Sequence, residues 1–232
     1  MITGASRGIG AAAARAFAQA GYHLLLVARS QADLDTLATE LRCHGQRVET
    51  AAVDLSDPGA IAPGLKELLN RGLSPNVVIN NAGAAYTGNL AEMPLDRWQW
   101  LLQLNLTSVF QVCQAVLPAL RQAGGGLIIN VSSHAAHNAF SDWGAYCTTK
   151  AALVSFSRCL AAEEREHGIR VSTLTLGSVN TPLWDSETVA CSFDRRAMLS
   201  PDQVADSLLF LARQPRSQTV EDLTLMPAAG AF

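Results

Sequence analysis

At 232 residues the chain suits one large α/β domain, and a make-up of 49% hydrophobic and 16% charged residues argues against a disordered tail. A net charge of -3 argues against the basic surface that general nucleic-acid binding requires. Cys43, Cys113, Cys147, Cys159 and Cys191 are widely spaced with no CxxC pair, so they read as reduced thiols and not as a disulfide frame or zinc site.

The chain opens with MITGASRGIG, in which Gly4, Gly8 and Gly10 come after only Met1 and Ile2. This is a phosphate-holding pattern, G-x3-G-x-G, whose bare backbone lets a pyrophosphate approach the amides at a helix start. An ordinary glycine turn reads the same way. A helical pattern comes next over 9–21, then a strand over 22–28, a helix over 31–45, a strand over 47–53 and a helix over 58–72. Further strands are predicted at 76–80, 126–131, 170–176 and 222–226, with helical patterns over 96–124, 141–168 and 200–214.

Runs apolar on both faces suit buried parallel strands. Repeated strand–helix–strand units predict a Rossmann-like doubly wound parallel sheet of about seven strands with helices on both faces. No linker, composition break or repeat divides residues 1–232, which read as a single domain. The longest apolar runs, such as LLLVA at 24–28, fall short of the roughly 20 residues that span a bilayer, and no signal-peptide pattern opens the chain. The expectation is a cytoplasmic protein without a membrane partner.

An NAD site usually carries an acidic residue about 20 positions beyond the glycine loop, for the ribose 2′-hydroxyl. LLVARSQ has none, and Ala28 is followed by Arg29 and Ser30. Arg29 and Arg7 together can meet a 2′-phosphate, which favours NADP(H), although exposed arginines are common. Further along, Tyr146 and Lys150 stand four apart in a helical pattern and project from one face. An ammonium beside a phenol favours phenolate and lowers a pKa that starts at about 10, so the tyrosine can exchange a proton with a carbonyl or alcohol oxygen. Ser133 ends the preceding strand and can hold the same oxygen. Taken singly, the Tyr–Lys pair also reads as an exposed helix contact, and Ser132 and Ser133 as a turn or cap.

TGASRGIG, NNAG at 80–83, Ser133 and YCTTK at 146–150 occur in order over almost the whole chain, and together they resemble the short-chain dehydrogenase/reductase family in its single-domain form. The resemblance implies hydride transfer between NADP(H) and a carbonyl or alcohol carbon, with Tyr146 as general acid/base. It implies that Lys150 binds the nicotinamide ribose and lowers the tyrosine pKa, that Ser133 positions the substrate, and that Asn105 holds a water in a proton relay. Gly4, Ser6, Arg7, Gly8, Ile9, Gly10, Arg29, Ser30, Asp54 and Leu55 would bind the cofactor, with Asp54 at the adenine. Asn81, Ala82 and Gly83 would brace the adenosine pocket beside Asn80, and Val179 and Thr181 would face the carboxamide. Asp54 also reads as a cap for a helix starting near Asp57, and Leu176 stands where the family usually has proline.

LWDSETVACSFDRRAML at 183–199 matches the family's variable substrate loop. Leu183 and Trp184 would cover a small apolar substrate. Arg195 and Arg196 would attract an anionic one, or stay solvated. His134, His137, Asn138, Phe140 and Trp143 are candidate pocket walls, and no metal ligation is expected of the histidines. The resemblance implies a small-molecule carbonyl or alcohol substrate, narrowed to a 3-oxoacyl thioester or related ketone, and a homodimer or homotetramer. A non-catalytic NADP-binding regulator is the alternative. The family comparison also makes the short start an anomaly: Met1 and Ile2 supply only about 7 Å of first strand. The expectation is a truncated first strand whose loop is held chiefly by later residues of the chain, or a natural chain beginning upstream of Met1.

Overall fold

Seven strands, β1 (Ile2–Thr3), β2 (Leu24–Ala28), β3 (Val48–Ala52), β4 (Val77–Asn80), β5 (Gly126–Ser133), β6 (Ile169–Leu176) and β7 (Asp222–Leu225), pair in parallel in the order β3-β2-β1-β4-β5-β6-β7. The computed structural model describes residues 1–43, 45–190 and 193–230, so Cys191 lies outside the described residues. The other four cysteines are free thiols.

Alternation along the buried strands builds two cores. Leu24 and Leu26 of β2, with Ile79, Ile129 and Leu174, face α1 (Gly8–Gln19), α2 (Gln31–Arg42) and α7 (Pro201–Ala212). Leu25 and Val27, with Val78, Ile128 and Val171, face α3 (Pro58–Leu69), α5 (Ser108–Gln122) and α6 (Gly144–Glu164). Because successive side chains point to opposite faces, a strand apolar at every position requires a layer on each side. Strand order reverses between β1 and β4, which opens a crevice at their carboxyl ends.

The first strand is truncated as expected, and its anchorage is specific. Ile2 pairs with Leu26 on one side and Ile79 on the other, and Ala5 N–H donates to the Val27 carbonyl at 3.1 Å. Beyond the strand, side chains take over. The Thr3 hydroxyl accepts from the N–H groups of both Asn81 and Ala82, each at 3.1 Å, and Asn81 Nδ2 donates to the Thr3 and Gly4 carbonyls at 3.0 and 3.3 Å. The loop is therefore bound to both of its neighbouring strands. At the other end Met1 is buried, its α-amino group donating to the Val77 carbonyl at 2.6 Å.

The helical pattern over 96–124 is not one α-helix. α4 (Leu95–Leu102) runs through a π-helical turn, Gln103–Thr107, into α5. The whole stretch Leu95–Gln122 is long and apolar enough, by length and composition, to cross a membrane, a property that counting uninterrupted apolar runs overlooks. Its Val109, Val112, Cys113, Val116 and Leu120 instead pack into the second core.

A chain of buried amides ties α6 to the sheet. Asn80 Nδ2 donates to Asn130 Oδ1 at 2.8 Å, Asn130 Nδ2 donates to Ser157 Oγ at 2.8 Å, and the Ser157 hydroxyl returns to the Leu153 carbonyl at 2.7 Å. Partnering offsets the cost of burying these groups, with Asn80 Oδ1 left without a partner among the described residues.

Candidate active site

The crevice widens into a cavity of about 510 Å³, bordered by the carboxyl ends of β5 and β6, the start of α6 and the segment after β7. On its inner wall lie Ser133, Tyr146 and Lys150. Ser133 stands at the end of β5, its Oγ accepting from the Ala135 N–H at 3.2 Å. Tyr146 and Lys150 sit one turn apart on α6, with Lys150 Nζ 5.7 Å from the phenol ring centre.

The phenol behaves opposite to the sequence expectation. Burial raises the Tyr146 pKa to about 12, and a hydrogen bond with Ser133 offsets only part of that rise. Lys150 does not reverse it, because its ammonium is turned to the Val131 carbonyl at 3.0 Å and is itself lowered to about 8 by burial. At neutral pH this tyrosine holds its proton.

Asn105 lies buried in the π-helical turn, behind the cavity wall. Its Oδ1 accepts from Ala84 N–H at 2.9 Å, while Nδ2 donates to the Ala84 carbonyl at 2.9 Å and to Thr149 Oγ1 at 3.1 Å. Thr149 in turn donates to the Tyr146 carbonyl at 2.8 Å, so the turn braces the helix that carries the phenol. Widened turns of this kind recur at functional sites because they re-aim a side chain. A Cβ on Gly83 would stand 3.2 Å from Asn105 Oδ1 and 3.7 Å from Lys150 Nζ, so a side chain there would press on the Asn105 amide.

The glycine loop meets the cavity at Ile9. A Cβ on Gly10 would fall 2.1 Å from the Gly4 carbonyl oxygen, so only glycine lets α1 start this close to the loop. Gly4 and Gly8 have φ of 63° and 55°, the left-handed region that glycine enters freely. Arg7, at the N-cap of α1, makes no side-chain cap among the described residues, so the first-turn N–H groups of α1 are left for another acceptor.

A model of the family described as short chain dehydrogenase matches residues 1–190. The chain belongs to the short-chain dehydrogenase/reductase family. An L-xylulose reductase of Bos taurus is 34% identical over 242 residues, covering 100% of this chain and 95% of the relative. An alcohol dehydrogenase of the archaeon Thermococcus sibiricus, solved with 5-hydroxy-NADP, superposes with a TM-score of 0.90 at 31% identity, covering 100% of this chain and 97% of that one. L-sorbose reductase of Gluconobacter frateurii, solved with NADPH and L-sorbose, gives 0.88 at 28% identity, covering 97% and 94%.

Within this family member the predicted residues divide by place. Ile9, Asn81, Gly83, Ser133, Tyr146, Lys150, Val179 and Thr181 line the cavity, and Gly8 abuts Thr181, its hypothetical Cβ 3.4 Å from the threonine Cβ. Gly4, Ser6, Arg7 and Gly10 form the loop leading to it. Arg29 is exposed just past β2, and Ser30 caps α2 by accepting from Asp33 N–H at 3.2 Å. Asp54 folds back on Ser56, accepting from its N–H at 2.9 Å and its hydroxyl at 2.7 Å, while Asp57 caps α3. Asp54 is thus not the cap, and Leu55 beside it is buried. Of the candidate walls, His134, Phe140, Trp143, Leu183 and Trp184 reach the cavity, whereas His137 and Asn138 lie outside it.

Three findings lie beyond the sequence reading. Met226 lines the cavity one residue after β7, where the rule that ligands bind beyond strand carboxyl ends could have flagged it. Ser178 Oγ, on the wall, is buried without a hydrogen-bond partner among the described residues. Neither Arg195 nor Arg196 lines the cavity, and Arg196, 92% exposed, stays solvated as expected, whereas Arg195 is anchored to the loop. It donates to Asn180 Oδ1 and the Thr181 carbonyl, both at 2.8 Å, and pairs with Asp185, while Arg196 pairs with Asp194.

Proposed function

We propose that this protein is an NADP(H)-dependent oxidoreductase that interconverts a ketone and its alcohol, with Tyr146 as general acid/base. The grouping of Ser133, Tyr146 and Lys150 in a cavity that also opens on the glycine loop carries this reading. The loop suits a pyrophosphate: it is stripped of Cβ atoms where the backbone packs closest, and it presents uncapped N–H groups at the positive end of a 12-residue helix. Bound there, NADPH supplies the hydride that reduces the carbonyl carbon.

The rest belongs to the chain. Ser133 donates a hydrogen bond to the substrate oxygen, Tyr146 delivers its proton to that oxygen as charge develops, and Lys150 would hold the ribose and supports the phenolate left behind. Asn105 keeps the start of α6 in register and serves the relay that returns the proton. Val179 and Thr181 would hold the carboxamide, and Asp54 with Leu55 would border the adenine. Relatives solved with NADPH and with 5-hydroxy-NADP support the cofactor assigned to this one.

Arg7 and Arg29 supply the preference for a 2′-phosphate. Arg29→Asp is expected to raise KM for NADPH by about 10–100-fold, the worth of a charge-assisted hydrogen bond, with little change for NADH. Steady-state kinetics with both cofactors measure it, and equal losses for the two would remove Arg29 from the phosphate site.

The chain is further proposed to form a homodimer or homotetramer through the outer faces of α5 and α6. Phe110 is 45% exposed there and packs edge-on against Phe156, ring centres 6.5 Å apart. Sedimentation equilibrium is expected to give a dimer or larger species that Phe110→Glu weakens at least about tenfold in dissociation constant, the scale of one lost apolar anchor. A monomer at micromolar concentration would refute the assembly.

A further inference from the structure

The outer half of the cavity is an aromatic wall that begins at the catalytic phenol. Trp143 packs edge-on to Tyr146 with ring centres 5.6 Å apart, Trp184 tilts against Trp143 at 5.8 Å, and Phe193 stands edge-on to Trp184 at 5.5 Å. All four rings line the same space.

Part of this wall's polar capacity is engaged, and part is open, Ser178 Oγ being buried without a hydrogen-bond partner among the described residues. Trp184 Nε1 donates to the Val179 carbonyl at 2.7 Å, so the indole offers the cavity only carbon. The His134 ring lies 2.9 Å from Asn138 Nδ2. Among the described residues Lys150 is the only charged side chain on the lining, and both arginines of the covering loop are paired elsewhere. A carboxylate or phosphate on the substrate would therefore find no countercharge on that lining beyond Lys150. A polyhydroxylated chain would lose water from each hydroxyl that faces indole or phenyl carbon instead of the Ser141 or Ser178 hydroxyls, at about tenfold or more in affinity for each one left unpaired.

We propose that the substrate is an aryl ketone, its carbonyl oxygen between Ser133 and Tyr146 and its ring against the faces of Trp143 and Trp184. This deepens the reading of the site as a ketone reductase and rests on it. Flat rings sort by shape against tilted and edge-on neighbours, so the wall selects an aromatic group more sharply than a flexible acyl chain. The chemistry balances without another reactant: ketone, NADPH and a proton give the secondary alcohol and NADP+.

The test compares NADPH oxidation with acetophenone, 2-butanone, L-xylulose, L-sorbose and a 3-oxoacyl thioester at equal concentrations. A kcat/KM for acetophenone at least about 100-fold above either ketose, and above the thioester, is expected from the unpaired hydroxyls. Trp184→Ala should raise KM for acetophenone by about tenfold while 2-butanone changes less than about threefold, and Trp184→Phe should restore most of the loss. As a readout apart from turnover, 1-phenylethanol should quench tryptophan fluorescence saturably in the wild-type protein and with a smaller amplitude and weaker affinity in the Trp184→Ala variant, whereas xylitol should not quench either. A ketose or thioester turned over as well as acetophenone would overturn the aryl assignment and leave the reductase standing. NADPH binding without turnover of any ketone would overturn both.

Discussion

Tyr146→Phe is expected to lower kcat for ketone reduction by about 10³-fold with NADPH affinity unchanged, within the range ascribed to one positioned proton donor. The substitution removes a single oxygen from a ring wedged against Trp143, so packing survives. Burial that lifts the phenol to about 12 keeps the proton in place throughout the neutral range, which is the state reduction needs. Lys150, lowered to about 8, sets the other limit. It is charged below that pH and neutral above it, so kcat/KM for reduction should fall as pH rises through about 8, with no loss from Tyr146 until far higher. A profile flat to about pH 10, or a Tyr146→Phe enzyme within about tenfold of wild type, would sink the assignment.

The second large effect concerns folding. The Met1 α-amino group is buried and lowered from 8.0 to about 5, with desolvation as the cause. An unfolded chain carries this amine protonated below pH 8, so between about pH 5 and 8 unfolding takes up a proton. Stability therefore rises with pH across that window. Three pKa units at about 1.4 kcal/mol each give a loss of about 4 kcal/mol on going from pH 8 to pH 5. Glu164 and Asp194, both held below the ordinary carboxylate range by arginine partners, lose their contributions only at more acid pH. Urea midpoints measured across the same window should show the slope. Nα-acetylation, or about five apolar residues added before Met1 to continue β1 along Leu24 and Val77, should flatten it. An unchanged slope after acetylation would mean that the amine is not the titrating group.

Much of this was legible in the sequence because the signals are local. β-Branched and leucine-rich runs marked the strands beyond β1 to within a few residues, and glycine at 21, 45, 72 and 168 marked chain reversals, Gly168 entering the left-handed region at φ 70°. The grouping of Ser133, Tyr146 and Lys150 was legible because strand end and helix start are adjacent in sequence. What stayed hidden depends on distant segments. The direction of the Tyr146 shift comes from burial, which a local Tyr–Lys spacing does not disclose. The anchoring of Arg195 on Asn180 and Thr181 needs a loop that closes across 15 residues. The π-helical turn, from which Asn105 reaches Ala84 and Thr149 together, is not disclosed by any pattern within the helix.

Two of the side-chain hydrogen bonds that hold α6 along its own axis run from Asn130 to Ser157 and from Asn105 to Thr149. The two contacts lie about eight residues apart, about 12 Å at ~1.5 Å per residue. A slip of one residue would break both and carry the Tyr146 oxygen about 1.5 Å, where a misplacement of about 1 Å already slows an aligned reaction roughly 100-fold. Greasy packing alone tolerates sliding of that size. These two amides act as a ruler for the helix, and the accuracy of proton delivery is set along the face where α6 meets β5 and the π-helical turn as much as at the phenol itself.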